Sequence, residues 1–174
     1  LFLLSCGLFA GLAFMTKGLL GLAIPGVAIA AFLLWERDWK AFWTLPWTPL
    51  AGAAIIAAPW VVAQHAAEPG FWSYFIMVEH FGRVLGDGAE RHPQPVWFYL
   101  PVLLGGLMPF TVLAYSLFKG GKSLDWRSSD LRYLAAWALA PILLLSISSG
   151  KLGTYILPVF PAWAALCALA LAES

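Results

Sequence analysis

The chain has 174 residues, 61% of them hydrophobic and only 11% charged, where ordinary globular proteins carry roughly 25% charged residues. A body this small cannot hide so much apolar surface from water, and its mean hydropathy of +0.81 points to an integral membrane protein. Twelve Phe, ten Trp and five Tyr exclude disorder, and a net charge of +1 without a basic run argues against a nucleic-acid partner.

A spanning helix needs about 20 mostly apolar residues. Uncharged runs occur at 1–16, 18–35, roughly 46–64, 96–118, 133–150 and 152–172. The expected fold is therefore an all-α, polytopic helix bundle with about six transmembrane helices. None of these runs alternates with period two, which excludes a barrel reading. The chain starts at Leu1 inside an apolar run, with neither an initiator Met nor a basic leader. It reads as a piece of a longer polytopic protein. Residues 1–174 are taken as a single transmembrane region, the central part of that protein.

Glycines spaced four apart at Gly7 and Gly11 match a close-packing pattern of membrane helices, a packing signal and not a functional one. Pro25, Pro59, Pro109 and Pro158 lie in or near spans, where neighbouring helices can satisfy the carbonyls they free. Lys17 stands alone in the first connection. The second carries Arg37 and Lys40, and the fourth carries Lys119, Lys122, Arg127 and Arg132. The third, residues 65–95, holds Arg83 and Arg91, and the fifth is essentially Lys151.

Six crossings place connections one, three and five on one face and two and four on the other. Six of the ten Lys and Arg fall in connections two and four, so the positive-inside rule assigns these to the cytoplasm. Lys17, the 65–95 loop and Lys151 then share the extracytoplasmic face. Within that loop, residues 69–85 read as an aromatic, amphipathic interfacial helix. Pro69 suits its first turn and Gly86 its stop. Glu79 and Arg83, four apart, can pair on its surface.

Lys17 and Lys151 each read either as a snorkelling anchor or as a functional cation. Around Lys151, the run Ser149-Gly150-Lys151-Leu152-Gly153-Thr154-Tyr155 gathers backbone N–H groups, an ammonium and a phenol, a combination suited to an oxyanion such as phosphate. Glu79-His80-Phe81-Gly82-Arg83 reads either as a solvated face or as an arginine for phosphate with two proton-transfer or metal-binding groups. One His and one Glu do not complete a metal site. The cysteines, Cys6 and Cys167, form neither a disulfide framework nor a zinc spacing. No phosphate-binding loop, nucleophile elbow or metalloprotease motif is present. Three cations on one face beside an aromatic helix describe a site for an anionic headgroup whose tail lies in lipid.

At Met15-Thr16-Lys17-Gly18, Phe71-Trp72-Ser73-Tyr74-Phe75, Val78-Glu79-His80-Phe81-Gly82-Arg83, Pro95-Val96-Trp97-Phe98-Tyr99-Leu100-Pro101 and Ser149-Gly150-Lys151-Leu152-Gly153-Thr154-Tyr155-Ile156-Leu157-Pro158, the chain resembles lipid-carrier-dependent glycosyltransferases of the protein O-mannosyltransferase superfamily. The likeness is strongest to bacterial transferases that add 4-amino-4-deoxy-L-arabinose to lipid A. It departs from their pattern at Gly153, where proline is usual, and at Gly82, where a polar residue is common.

The resemblance implies an inner-membrane enzyme whose donor is a sugar on a polyprenyl (undecaprenyl) phosphate and whose acceptor is a glycolipid such as lipid A, or a protein. It implies that Lys17, Arg83, Lys151 and Tyr155 hold the carrier phosphate. Glu79 and His80 would then lie near the reacting centre, with His80 as the ligand of any divalent metal that takes part. It also implies an acidic pair that activates the acceptor, in a loop upstream of this region. No Asp or Glu here fits that description, so the chain alone is expected to be inactive. The competing reading is a permease or flippase for a lipid-linked or small anionic substrate, since intramembrane cations near broken helices also line transport paths. Cations gathered at one face instead of the midplane speak against it.

Overall fold

A computed structural model describes residues 1–82, 94–108, 114–148 and 150–173, with the backbone alone at Glu79, His80, Phe81, Ala114, Ser116 and Phe118. Among the described residues every regular element is helical. In order these are α1 (Phe2–Lys17), α2 (Leu20–Glu36), the short α3 (Trp39–Thr44), α4 (Trp47–Ala67), α5 (Phe71–Ser73) running into a π-helical stretch (Tyr74–Gly82), a 3₁₀ turn (Val96–Phe98) leading into α6 (Tyr99–Gly106), α7 (Ala114–Lys119), α8 (Ser129–Ile147), and a 3₁₀ segment (Gly153–Val159) that continues as α9 (Phe160–Ala172). Three helical stretches are long and apolar enough to cross a membrane: Trp39–Ala67, Ser129–Ile147 and Gly153–Ala172. Shorter apolar helices occupy Phe2–Lys17, Leu20–Glu36 and Val96–Gly106. Together they account for the six apolar runs.

Packing follows the small residues. α1 lies against α4, and the two backbones meet where side chains are absent. A Cβ on Gly7 would strike the backbone of Pro49, one on Gly11 would lie 2.8 Å from the Ala53 carbonyl oxygen, and one on Gly52 would lie 3.0 Å from Gly7 Cα. Membrane helices gain adhesion from this kind of close approach, because lipid tails are as apolar as any side chain and offer no hydrophobic drive. α2 packs on α8, and Ala28 in α2 and Ala135 and Ala136 in α8 are buried. Phe32 and Tyr133 meet edge to face across the same seam, with ring centroids 5.5 Å apart. α9 closes the bundle against α8 and α7.

Several boundaries differ from the sequence expectation, each for a local reason. α4 continues through His65 to Ala67, so the third connection begins at Glu68, not His65. Glu68 leaves the helical region (φ −147°, ψ 86°), as a residue before proline tends to do. Pro69 therefore sits in a turn and the next helix starts at Phe71, two residues later than expected. Within the second connection, α3 forms because Asp38 Oδ1 accepts from the Ala41 N–H at 2.9 Å, a side-chain cap. α6 stops at Gly106, with Leu107 and Met108 in a turn ahead of Pro109. Pro25, Pro59 and Pro141 sit inside α2, α4 and α8 without ending them.

The last span is not α-helical throughout. Residues Gly153–Val159 wind as 3₁₀ before α9 begins. The Pro158 ring would clash with the Thr154 carbonyl in an α-helical start, which disfavours that winding here, while Pro161 sits in the first turn of α9, where a missing N–H is tolerated.

Candidate functional site

Contacts between connections test the topology directly. At one end of the bundle the Glu36 carboxylate meets the Arg132 guanidinium at 3.2 Å and accepts from Ser129 Oγ at 3.2 Å. The Arg132 Nε–H donates to the Trp126 carbonyl at 3.0 Å. These bonds tie connection two to connection four. The opposite end is joined by a different set, all from connections one, three and five. The alternation expected from six crossings is therefore present in the contacts themselves.

At that second end α1 delivers Lys17 as its last residue. Gly18 follows with φ 63°, a conformation that costs an L side chain free energy and a glycine almost nothing. Its N–H caps the Phe14 carbonyl at 2.8 Å, and the chain reverses into α2. Gly21 lies so close to α1 that a Cβ there would stand 2.5 Å from the Ala13 carbonyl. The tight reversal holds the exposed Lys17 with its ammonium over the Tyr155 ring, 6.0 Å from the centroid, within cation–π range.

Lys151 is placed differently. Only 3% of it is exposed, and it is the buried charged residue among those described. An ammonium taken out of water is tolerated only when hydrogen-bonded. Lys151 Nζ donates to the Gln94 carbonyl at 2.9 Å and to the Ser148 carbonyl. An ammonium has three donors, and two are committed to these carbonyls. The first of them belongs to the return of connection three, so Lys151 joins connections three and five. Lys17 is exposed, whereas Lys151 does not reach out to the surface, so the anchor reading does not fit Lys151.

Tyr155 is half-buried in the 3₁₀ segment. Its N–H donates to the Leu152 carbonyl at 3.1 Å. The same carbonyl accepts from the Tyr99 hydroxyl at 3.3 Å. Tyr99 is 1% exposed and belongs to the cluster with Leu103, Leu107, Leu145, Ile156 and Val159 that forms the floor under this end. Trp137 Nε1 donates to the Pro158 carbonyl at 2.9 Å, bracing the far end of the segment against α8.

The helix carrying Glu79 and His80 is anchored by its rings. Phe71 and Trp72 meet Trp60 of α4 edge to face at 6.0 and 5.9 Å, and Phe75 meets Phe14 of α1 at 6.4 Å. Ile76, Met77 and Val78, beyond these rings, are exposed. The helix therefore begins beside α4 and passes the C-terminal end of α1, the end that carries Lys17. Its π-helical winding across Tyr74–Gly82 is of a kind found often at functional sites. The side chains of Glu79 and His80, and Arg83 as a whole, lie outside the described residues. The pairing expected between Glu79 and Arg83 lies there too.

Of the expected site residues, the structure brings together Lys17 and Tyr155 directly and sets Lys151 in the connection that leads into the Tyr155 turn. Gln94 and Tyr99 were not singled out from sequence as site residues. Gln94 acts through its backbone carbonyl, which no side-chain pattern reveals. Tyr99 carries a phenol inside an apolar run, and that hydroxyl was the available signal. Among the described residues no three His, Cys, Asp or Glu side chains converge as a metal site would require. The side chain of His80, the expected ligand of any metal, lies outside the described residues.

No family model matches the chain. It is 43% identical over 152 residues to the undecaprenyl phosphate-alpha-4-amino-4-deoxy-L-arabinose arabinosyl transferase of Shewanella sediminis, covering 87% of this chain and 28% of that protein. It is also 43% identical over 163 residues to the transferase of the same name from Edwardsiella ictaluri, covering 93% of this chain and 29% of that one. The fold is similar to the crystal structure of ArnT from Cupriavidus metallidurans bound to undecaprenyl phosphate, with a TM-score of 0.81 and 29% identity, covering 99% of this chain and 31% of that one. The apo structure of the same protein gives a TM-score of 0.78. The chain spans about three tenths of the length of the curated relatives it matches. In sequence and in fold it is therefore homologous, over nearly its whole length, to one segment of the undecaprenyl phosphate-aminoarabinose arabinosyl transferases.

Proposed function

We propose that the chain forms the carrier-phosphate region of an inner-membrane glycosyltransferase that takes a sugar from a polyprenyl phosphate and transfers it to a lipid A-like glycolipid or a protein. The observation that carries this reading is the gathering of the Lys17 ammonium, the Tyr155 ring and the buried Lys151 at the end of the bundle opposite the Glu36–Arg132 pair. The undecaprenyl phosphate named for the relatives supplies the matching anion. Residues 1–174 act as one transmembrane region, and the third connection, from Glu68 to about Pro95, as an extracytoplasmic loop with its aromatic helix at the membrane interface.

In the proposed reaction the acceptor oxygen bonds to the anomeric carbon of the sugar as the carbon–oxygen bond to the carrier phosphate breaks. The phosphate leaves with an additional negative charge. Lys17, Arg83, Lys151 and Tyr155 surround it, and preplaced donors stabilise such a charge without reorganising during the reaction. Glu79 and His80 lie near the reacting centre. Activation of the acceptor hydroxyl falls to a group outside this chain.

The test is native mass spectrometry of lipids retained by the full-length protein, with wild type beside Lys17→Ala, Arg83→Ala and Lys151→Ala. Retention of undecaprenyl phosphate by wild type and its loss in the variants is the expected result. Equal retention in all four proteins overturns the assigned roles. An absence of carrier from wild type, together with solute flux in proteoliposomes, would replace the enzyme reading with transport.

A further inference from the structure

We propose that Tyr99 is a positioning residue for Tyr155, acting through the one carbonyl that the two residues share. The Leu152 carbonyl oxygen has two lone pairs. One accepts the Tyr155 N–H at 3.1 Å, the bond that opens the 3₁₀ segment; the other accepts the Tyr99 hydroxyl at 3.3 Å. Tyr99 reaches that carbonyl from 53 residues away in sequence. With 1% of its surface exposed, water cannot replace the partner, and a buried hydroxyl left unpaired costs free energy. The phenol is therefore held to the carbonyl, and through it fixes the height and rotation of the first turn on which the Tyr155 side chain stands.

Lys151 fixes the same turn from the other side. Its ammonium binds the Gln94 carbonyl, five residues before Tyr99. The two short segments, 94–99 and 148–155, thus clasp each other twice, once through each segment's side chain onto the other's backbone. An extended Leu152 (φ −123°, ψ 139°) precedes the turn, and such a residue has freedom that a single bond would leave unquenched. The second bond, from Tyr99, removes it.

This inference rests on the carrier role proposed for Tyr155, so its experiment has a readout that does not need the carrier. Tyr99→Phe removes one oxygen and preserves the ring that fills the core, which keeps the fold. Amide hydrogen exchange across residues 152–159 of the full-length protein without carrier is expected to speed up several-fold in Tyr99→Phe. Exchange in α4 and α8 is expected to stay as in wild type. Undecaprenyl phosphate affinity is then measured in wild type, Tyr99→Phe, Tyr155→Phe and the double variant. Tyr99→Phe is expected to weaken binding about three- to fivefold in the wild-type background, the loss of one neutral hydrogen bond, and to have no effect once Tyr155 is Phe.

Unchanged exchange in the turn overturns the proposal whatever the carrier does. Additive losses in the double variant overturn it too, because they would give Tyr99 an effect that does not pass through Tyr155. If wild type binds no carrier, the proposed function fails, and the clasp stands or falls on hydrogen exchange alone.

Discussion

Lys17 and Lys151 carry the same charge at the same end of the bundle, yet their surroundings predict different behaviour when they are replaced. Lys151→Met leaves the Gln94 and Ser148 carbonyls without their donor, a loss of about 1–3 kcal/mol for buried polar groups. Both the melting temperature and carrier retention are expected to fall. Lys17→Gln removes an exposed ammonium whose described contact is the Tyr155 ring, so carrier retention is expected to fall while the melting temperature holds. Thermal melting and native mass spectrometry of both variants check the contrast. Equal destabilisation by the two would contradict it. The residue types at this site were legible in the sequence, since a lysine between two apolar runs is conspicuous. What each lysine touches was not, because Lys151 is bound by main-chain carbonyls whose positions depend on how two distant connections meet.

At the scale of elements, the α1·α4 crossing is the contact most exposed to a single change. Gly7→Leu places a side chain where the Pro49 backbone now lies, and forcing the helices apart is expected to cost about 1–3 kcal/mol. The same substitution at Gly26 or Gly105, where a Cβ would meet nothing within 4 Å, is expected to be close to neutral. Denaturation in detergent, read for all three variants, separates a packing role from a general intolerance of helix glycines. The four-residue spacing of Gly7 and Gly11 announced such a crossing but not its partner. The partner is α4, whose Gly52 supplies the reciprocal gap. The 3₁₀ winding ahead of α9 was likewise hidden, because apolar periodicity does not separate a 3₁₀ from an α-helical start, although Pro158 and Pro161 in hindsight mark the place. Asp38 was the readable cap of α3, lost among the charges of its connection.

Across the whole molecule, the alternation of connections makes a prediction about sidedness. With Cys6 and Cys167 replaced by alanine, a cysteine at Lys122 is expected to react with an impermeant thiol reagent from the cytoplasmic side only. One at Thr154, also exposed, is expected to react from the opposite side only. Labelling of both from the same side would undo the topology. The number of runs gave the alternation, and the charge count supplies the orientation that this labelling tests. The Glu36–Arg132 pair adds an energetic check. Both side chains are about a quarter exposed, so solvent screens the pair and Glu36→Gln is expected to cost no more than about 1 kcal/mol, seen as a small drop in melting temperature.

That ion pair also bears on how the protein is made. Glu36 and Arg132 are separated by 96 residues, and at roughly 5–20 residues per second of synthesis the carboxylate emerges about 5–20 s before its partner. α1 finds α4 much sooner, within some forty residues of chain. α2 therefore enters the bilayer with its seam of small residues open and its terminal acid unmatched, and it waits through the insertion of every span between. The opposite end is assembled later still, since Lys17 of α1 meets Tyr155 only after the fifth connection has been made. A chain interrupted before the fifth connection would carry Lys17 without Lys151 and Tyr155.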